Sequence, residues 1–315
     1  MKDGYGREIE YLRLSVTPRC NLRCIYCAPE GCSKPDELLS DSDIVHIGRA
    51  AAKAGIRYIK ITGGEPLMRS GCAGIIRRLK SVCGIDEVTL TTNGTLLPQY
   101  AEEIIAAGTD RVNISLDTAD ASQYAAITGF DMLGNVEKGI DMLCGADIPV
   151  RLNCVLLGGI NDNSFYGLLK FPETKKIDLR FIELMPVGHG REFSFMSSDT
   201  VYNAISRIYP LYPSEYSGNG PAVYFESSRL TGRIGFISAI SHRFCKSCNR
   251  LRITADGTLK PCLSMSCGTD LKPYLSDEDE LYKLLKKAVH NKPLMHCFGS
   301  CSDEAETAAM NTIGG

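Results

Sequence analysis

Three closely spaced cysteines are the residues of this chain best suited to chemistry. Cys20, Cys24 and Cys27 form a C-x3-C-x2-C group. Three thiolates at this spacing can bind three irons of a [4Fe-4S] cluster, which leaves the fourth iron open to another ligand. A structural zinc ion would need a fourth protein ligand, for which Cys32 is the nearby candidate. The spacing favours the open cluster over zinc.

A second set of cysteines lies near the carboxyl end of the chain. Its members are Cys245, Cys248 and Cys262, with Cys267 close by. This spacing fits a zinc ribbon closed by Cys267 as well as a second iron–sulfur cluster, and the residues alone leave both interpretations open. Arg250 and Arg252 follow the first pair directly and would share one face of an extended segment. Paired guanidinium groups suit a phosphate ligand, whereas the alternative is a solvated strand edge.

A glycine-rich turn is the third feature. It consists of Gly63, Gly64, Glu65 and Pro66. Glycines allow a ligand to approach the backbone closely, and Glu65 offers an acceptor for an ammonium group. Taken alone, the same residues would also form an ordinary tight turn.

Short β-branched runs that alternate with helical periodicity must position these groups. The predicted strands are residues 12–16, 58–62, 87–92, 111–116, 150–157 and 178–184. The predicted helices include residues 41–54, 99–107, 133–144 and 163–169, with Asp41 and Asn163 at helix starts. The connections are long enough for right-handed crossovers, so we expect a parallel sheet covered by helices, either doubly wound or a barrel. The first cysteine group and the glycine turn then follow the carboxyl ends of two strands, where such folds build active sites.

The pattern changes beyond about residue 210. Glycine- and proline-rich turns separate short predicted strands at 223–226 and 234–240. We therefore predict a larger domain over residues 1–210 and a smaller one over residues 211–315.

The composition excludes several classes of protein. With 315 residues, 44% of them hydrophobic and 23% charged, the chain can bury a large core. Its net charge of −2 offers no general attraction for nucleic acid or for a membrane surface, so neither is an expected partner. Residues 1–13 lack the apolar stretch of a secretion signal, and 14 cysteines are too few for a disulfide scaffold of this length. We expect a cytoplasmic protein with mostly reduced thiols.

The first cysteine group and the glycine turn together resemble the radical S-adenosylmethionine (SAM) superfamily. The resemblance implies an α/β fold, a partial (β/α)6 TIM-like barrel. It also implies that the open iron binds the amino and carboxylate groups of SAM. A reduced cluster would then cleave SAM to methionine and a 5′-deoxyadenosyl radical, which takes a hydrogen atom from the substrate.

The second cysteine group narrows the resemblance to the GTP 3′,8-cyclase family of molybdenum cofactor biosynthesis. Further matching stretches are residues 14–17, 91–94, 113–117, 180–188 and 310–315. The resemblance implies a C-terminal domain with a second [4Fe-4S] cluster, GTP as the substrate, an external electron donor and a glycine tail that reaches the active site. It implies a lyase-type enzyme. A homodimer is the expected assembly.

The resemblance also assigns roles to individual positions. The first cluster is expected on Cys20, Cys24 and Cys27, and the second on Cys245, Cys248 and Cys262. SAM is expected at Tyr26, Gly63, Gly64, Glu65, Ser115 and Met185. GTP is expected at Arg13, Lys60, Thr91, Arg151, Arg180, Arg250 and Arg252. Catalytic roles are expected for Arg250, Arg252, Gly314 and Gly315.

Two substitutions depart from the family pattern. Lys60 stands where an arginine is usual, and Arg151 where a lysine is usual, so the positive charge is kept while the hydrogen-bond geometry is not.

Two other functions compete with GTP cyclisation. A radical SAM enzyme could act on a peptide or RNA, although the charge of −2 speaks against RNA. A non-catalytic iron–sulfur or zinc protein would give the glycine turn no role.

Overall fold

A computed structural model describes residues 1–31, 37–298 and 306–314. Cys32 and Gly315, both named above, lie outside these residues. The strands are β1 (Tyr11–Ser15), β2 (Tyr58–Thr62), β3 (Glu87–Thr92), β4 (Arg111–Ser115), β5 (Val150–Leu156), β6 (Asp178–Glu183), β7 (Tyr212–Pro213), β8 (Val223–Glu226), β9 (Ile234–Ile237), β10 (Arg250–Ile253), β11 (Thr258–Lys260) and β12 (Thr269–Asp270). The helices are α1 (Asp41–Lys53), α2 (Cys72–Lys80), α3 (Leu97–Ala106), α4 (Ala121–Thr128), α5 (Leu133–Gly145), α6 (Phe165–Leu168), α7 (Lys170–Thr174), α8 (Ser198–Ser206) and α9 (Glu278–His290).

The strands form one sheet in the order β12-β11-β10-β1-β2-β3-β4-β5-β6-β9-β8-β7. Strands β1 to β6 are parallel and adjacent in chain order, which confirms the expected partial barrel. Strand β10 extends the sheet beside β1, and β9 extends it beside β6, both in parallel. The carboxyl-terminal region therefore covers both edges of the six-stranded core, where unpaired backbone groups would otherwise be exposed.

Side chains alternate between the two faces of each strand. In β1, Leu12 and Leu14 are fully buried in the main hydrophobic core, while Arg13 belongs to the opposite face. In β2, Ile59 and Ile61 join the same core, and Lys60 takes the face of Arg13. This alternation separates an apolar layer under the helices from a polar barrel interior.

The helix and strand predictions need several corrections. Helices α2 and α4 were not predicted, and the helix predicted at 163–169 is instead two short helices, of which α6 begins after Ser164 rather than at Asn163. The strand predicted at 234–240 ends at Ile237. It ends early because the backbone N–H groups of Ile240 and Ser241 donate to the Glu183 carboxylate instead of to a strand. Among the described residues, no helix is both long and apolar enough to span a membrane.

Candidate active site

The loop after β1 carries the first cysteine group at the carboxyl end of the parallel strands. Its backbone is held by two hydrogen bonds from residues 23 and 25 to the end of α4. Cys20, Cys24 and Cys27 form no disulfide with any described residue and are each half-buried. The N–H of Leu22 and the Nδ2 of Asn93 lie 3.5 and 3.8 Å from the Cys20 sulfur. Amide donors at sulfur are typical of iron–sulfur sites, so this loop fits a [4Fe-4S] cluster.

The two glycines of the turn after β2 pack against that cysteine loop. The N–H of Gly64 donates to the carbonyl of Thr17 at 2.7 Å. A Cβ on Gly64 would lie 2.4 Å from the carbonyl oxygen of Arg19 and 2.5 Å from that of Pro18, and a Cβ on Gly63 would lie 2.5 Å from that of Thr17. The close approach expected at these glycines therefore takes place, but the partner in this structure is the backbone of the chain itself.

Glu65 is fully buried beside this turn. Its carboxylate accepts hydrogen bonds from the N–H of Leu67, the hydroxyl of Thr92 and the N–H of Asn93. Burial raises its pKa to about 7, although these three donors favour the charged form. These three bonds tie Glu65 to the ends of β2 and β3. Its expected role as an acceptor for a ligand's ammonium group stays a prediction.

Tyr26 lies between the last two cysteines of the loop and points toward β4. Its hydroxyl donates to Asp117 Oδ2 at 2.8 Å, and the other oxygen of Asp117 accepts from the N–H of Val155. Burial raises the pKa of Asp117 to about 6. Cys24, Tyr26 and Ser115 line one small cavity, so the structure brings together three residues expected near the cluster and SAM.

A layer of cations crosses the barrel interior, in which Arg180 and Arg252 are buried and Arg13 and Lys60 are half-buried. The β-sheet register places Arg13 between Arg252 on β10 and Lys60 on β2. Burial and neighbouring positive charges lower the pKa of all three, that of Arg13 to about 10. The positive charge of Arg180 on β6 is among the causes for Arg13 and Lys60. Buried cations that repel one another are stabilised by an anionic ligand.

Arg180 is held by uncharged groups. Its Nη2 donates to Asn113 Oδ1 at 2.7 Å, and its Nε donates to Asn153 Oδ1 at 2.9 Å. In the same interior, the hydroxyl oxygens of Thr62 and Thr91 are buried and have no hydrogen-bond partner among the described residues. A charged side chain with amide acceptors, next to unsatisfied hydroxyls, is the arrangement expected of a polar ligand site.

Arg151 differs from the other cations of the interior. Its Nε lies 3.2 Å from an Asp178 carboxylate oxygen, and its Nη2 also binds the Tyr216 hydroxyl. Although burial opposes its charge, the two nearby tyrosines and Asp178 raise its pKa. Its charge is thus paired within the protein with Asp178, which also pairs with Arg233, and its expected contact with substrate stays a prediction.

The carboxyl-terminal segment 306–314 reaches the barrel at the carboxyl ends of β1 and β2. Arg252 Nη1 donates to the carbonyl oxygen of Gly314 at 2.8 Å. Gly314 has a φ of +72°, and a Cβ there would lie 2.9 Å from the Cβ of Ser15 and 3.1 Å from Thr62 Oγ1. The end of the chain therefore reaches the cation layer, as the family resemblance implied.

The second cysteine group lies next to strands β10 and β11. Cys245 and Cys248 flank a single turn before β10, while Cys262 follows β11. Burial opposes ionisation of Cys248, but the positive charges of Arg250 and Lys292 outweigh it and lower the pKa to about 6. A thiolate favoured in this way is a good metal ligand. In the described ranges, no three His, Cys, Asp or Glu side chains converge closely enough to hold a single metal ion.

The two cysteine groups lie in regions that match two different family models. Residues 14–171 match the Radical SAM superfamily model, and residues 177–298 match the Molybdenum Cofactor Synthesis C model. A GTP 3′,8-cyclase of Clostridium acetobutylicum is 40% identical over the whole of both chains. One of Heliobacterium modesticaldum is 42% identical over 94% of each chain. The chain belongs to the GTP 3′,8-cyclase family.

Solved structures support the radical SAM fold of this cyclase family member. Streptococcus suis SuiB bound to S-adenosylmethionine superposes with a TM-score of 0.65, covering 87% of this chain and 66% of SuiB. SuiB bound to its precursor peptide SuiA also gives 0.65, covering 97% and 76%. The identities are 17% and 16%, so these structures bear on the fold alone.

Two residues expected at the ligand sites of the cyclase also contact other parts of the protein, and their expected ligand contacts stay predictions. Met185 packs in an apolar cluster with Val187, Leu263 and Ile313, next to the carboxyl-terminal segment. Arg250 lies over the ring of Phe244, with its Nη2 3.8 Å from the Cys248 sulfur. Met185 thus supports the tail, and Arg250 lies between the cation layer and the second cysteine group.

Sequence reasoning missed several residues of this cyclase site. These are Asn93, Asn113, Asp117, Asn153, Lys260 and Glu306. Asn93 and Asp117 follow parallel strands, whereas Asn113 and Asn153 alternate with core residues within strands. These positions were the signal in the sequence that could have identified them. Nothing local marked Lys260 or Glu306, because their role depends on each other.

Proposed function

We propose that this chain converts GTP to 3′,8-cyclo-7,8-dihydro-GTP, an early step of molybdenum cofactor biosynthesis. The observation that carries the proposal is the interior layer of Arg13, Lys60, Arg180 and Arg252. Within the described part of the chain, Arg180 and Arg252 donate to amide and carbonyl oxygens and pair with no carboxylate. A triphosphate supplies the negative charge that this layer needs. The relatives named GTP 3′,8-cyclase support GTP as its source.

The first cysteine group would hold a [4Fe-4S] cluster to which SAM binds. With SAM, this cluster supplies the radical that removes a hydrogen atom from the substrate. Tyr26 and Asp117 hold the cysteine loop against β4 and β5, and the packing of Gly64 on Arg19 fixes its start. These contacts fix the position of the loop that would hold the cofactor.

The chain's other residues would bind and enclose GTP. Arg180 and Arg252 would hold phosphate oxygens, since guanidinium groups bind them in a bidentate manner. The segment ending at Gly314 covers the cation layer and would exclude water from it. Exclusion of water strengthens these electrostatic contacts and protects a radical from side reactions.

We infer that Cys245, Cys248 and Cys262 hold a second [4Fe-4S] cluster. The support is the lowered pKa of Cys248 and the position of Lys292, which donates to the carbonyls of Arg250 and Pro261 and so ties the two cysteine-bearing segments together. Iron analysis of anaerobic protein tests this, with about eight irons per chain for two clusters and about four for one.

The activity is tested by anaerobic incubation with SAM, a reductant and each of the four nucleoside triphosphates, followed by mass analysis. We expect a cyclised nucleotide from GTP alone and 5′-deoxyadenosine in parallel. The Cys24→Ala variant is the control for chemistry that does not depend on the cluster. Equal products from all four triphosphates, or none from GTP, would refute the proposal.

The cellular setting completes the proposal. A cytoplasmic enzyme with an external electron donor is consistent with the lack of disulfides among the twelve described cysteines. The expected homodimer stays a prediction.

A further inference from the structure

The segment 306–314 connects the two cysteine groups. At its start, the N–H of Glu306 donates to the carbonyl of Ser264 at 2.8 Å, two residues after a proposed ligand of the second cluster. Near its end, Asn311 Nδ2 donates to the carbonyl of Pro18 at 3.1 Å, two residues before the first cysteine group. The path of this segment is therefore set at both cluster loops.

A buried ion pair holds the start of the segment. Lys260 Nζ binds Glu306 Oε2, and the two side chains are only 6% and 4% exposed. The other carboxylate oxygen of Glu306 accepts from the N–H of Ala308 at 2.9 Å. Lys260 lies directly opposite Arg252 in the register of β10 and β11. The pair thus joins the segment to the strand next to the one that carries Arg252.

The loop that follows β6 also binds Glu306. Arg191 Nη2 donates to the carbonyl of Glu306 at 2.6 Å, and its Nε donates to the carbonyl of Pro186 at 3.2 Å. A Cβ on Gly188 would lie 2.8 Å from the carbonyl oxygen of Ala308. Glu306 therefore contacts both the loop that follows β6 and strand β11.

An ion pair this deeply buried is a poor source of stability, since apolar residues of similar size often serve as well. Its two charges instead require one specific arrangement, because a displaced Glu306 would leave Lys260 unpaired in the interior. Eight residues separate Glu306 from Gly314. A change in direction at Glu306 would therefore displace the end of the segment from Arg252.

We propose that Lys260 and Glu306 are positioning residues, whose ion pair sets the path of segment 306–314 and so places Gly314 against Arg252. The inference rests on the proposed function, in which this segment closes the substrate site. Loss of the pair would let SAM cleavage proceed while the substrate is poorly enclosed.

The Glu306→Gln variant tests the proposal. We expect the ratio of cyclised GTP to 5′-deoxyadenosine to fall about 10- to 100-fold, since small misplacements in an active site have effects of this size. Iron content should match the parent, and the KM for GTP should stay within about twofold. Hydrogen exchange in residues 306–314 should become faster. Asp279→Asn, which removes an exposed ion pair with Lys53, is the matched control and should change none of these.

Reversal of both charges distinguishes the effect of the ion pair from the effect of each single charge. In the double variant Lys260→Glu with Glu306→Lys, we expect slow exchange in residues 306–314 and most of the product ratio to return. If Glu306→Gln fails to fold, this double variant decides by itself. A folded, iron-replete double variant with a mobile segment would overturn the proposal, as would a Glu306→Gln variant with parental coupling and exchange.

The proposed function fails in a distinguishable way. If the parent forms no product from GTP, the cyclase proposal is wrong, while hydrogen exchange still reports on the ion pair. In that case faster exchange in Glu306→Gln with full iron content supports the positioning role, and unchanged exchange overturns it.

Discussion

The guanidinium of Arg252 binds the carbonyl oxygen of Gly314 at 2.8 Å, although 62 residues separate them in the chain. The bond joins strand β10 to the end of the carboxyl-terminal segment. Arg252 is 7% exposed, so this contact lies inside the protein. Segment 306–314 of the same chain therefore covers the proposed substrate site.

The Gly314→Ala variant tests the importance of that closure. The positive φ of Gly314 and the 2.9 Å approach to Ser15 leave no room for a Cβ, so the segment must shift. We expect GTP cyclisation to fall by about tenfold or more while SAM cleavage continues, because strain of about 1–3 kcal/mol displaces the segment. Product and 5′-deoxyadenosine are measured together by mass analysis. Gly134→Ala, where a Cβ meets nothing within 4 Å, is the control.

Replacement of Arg180 tests the cation layer. A charge-assisted hydrogen bond contributes about 1.5–3 kcal/mol, so Arg180→Ala should weaken GTP affinity by about one to two orders of magnitude. Equilibrium dialysis under anaerobic conditions measures this. The exposed Arg77 on α2 provides the control variant Arg77→Ala. Parental GTP affinity in Arg180→Ala, with full iron content, would place the phosphate site elsewhere.

Gly64→Ala tests the packing of the glycine turn on the cysteine loop. A Cβ 2.4 Å from the carbonyl of Arg19 forces the two loops apart. Overpacking of this kind costs about 1–3 kcal/mol, and we expect a Tm lower by a few degrees together with loss of iron from the first cluster. Calorimetry and iron analysis are the measurements. Gly74→Ala, with nothing within 4 Å of its Cβ, should retain iron and stability.

The two cysteine groups should have different roles in the reaction. We expect Cys24→Ala to abolish SAM cleavage, whereas Cys262→Ala keeps some cleavage that is not coupled to GTP. Each variant should retain about four irons per chain, those of the other cluster. Cys83→Ala, at an exposed thiol, should behave as the parent does. Equal loss of SAM cleavage in both variants, with the remaining cluster intact, would contradict this division.

Much of the fold could be predicted because its signals are local. Strands β2 and β3 have the predicted bounds, since β-branched runs bounded by turns identify strands without knowledge of their neighbours. Helix α4 was missed, and its Asp120 cap and Gly129 end are short-range signals that the periodicity analysis did not use. The spacing of Cys20, Cys24 and Cys27 was equally local.

In the structure, period-two alternation places Arg13 and Lys60 on the face opposite the core. What alternation could not decide was which groups would balance their charges. Arg151 and Arg180 occupy neighbouring strands, yet one binds a carboxylate and the other two amides. The identity of each partner depends on strand order and register, which are properties of the whole sheet.

The sequence by itself determined the cysteine spacing, the parallel strands and the common face of Arg250 and Arg252, because each depends on local spacing along the chain. Only the tertiary structure decided that Glu65 is buried between β2 and β3, that Lys260 pairs with Glu306, and that Gly314 reaches Arg252. These contacts join residues that are distant in the chain. Their geometry follows from packing in three dimensions, which no local pattern encodes.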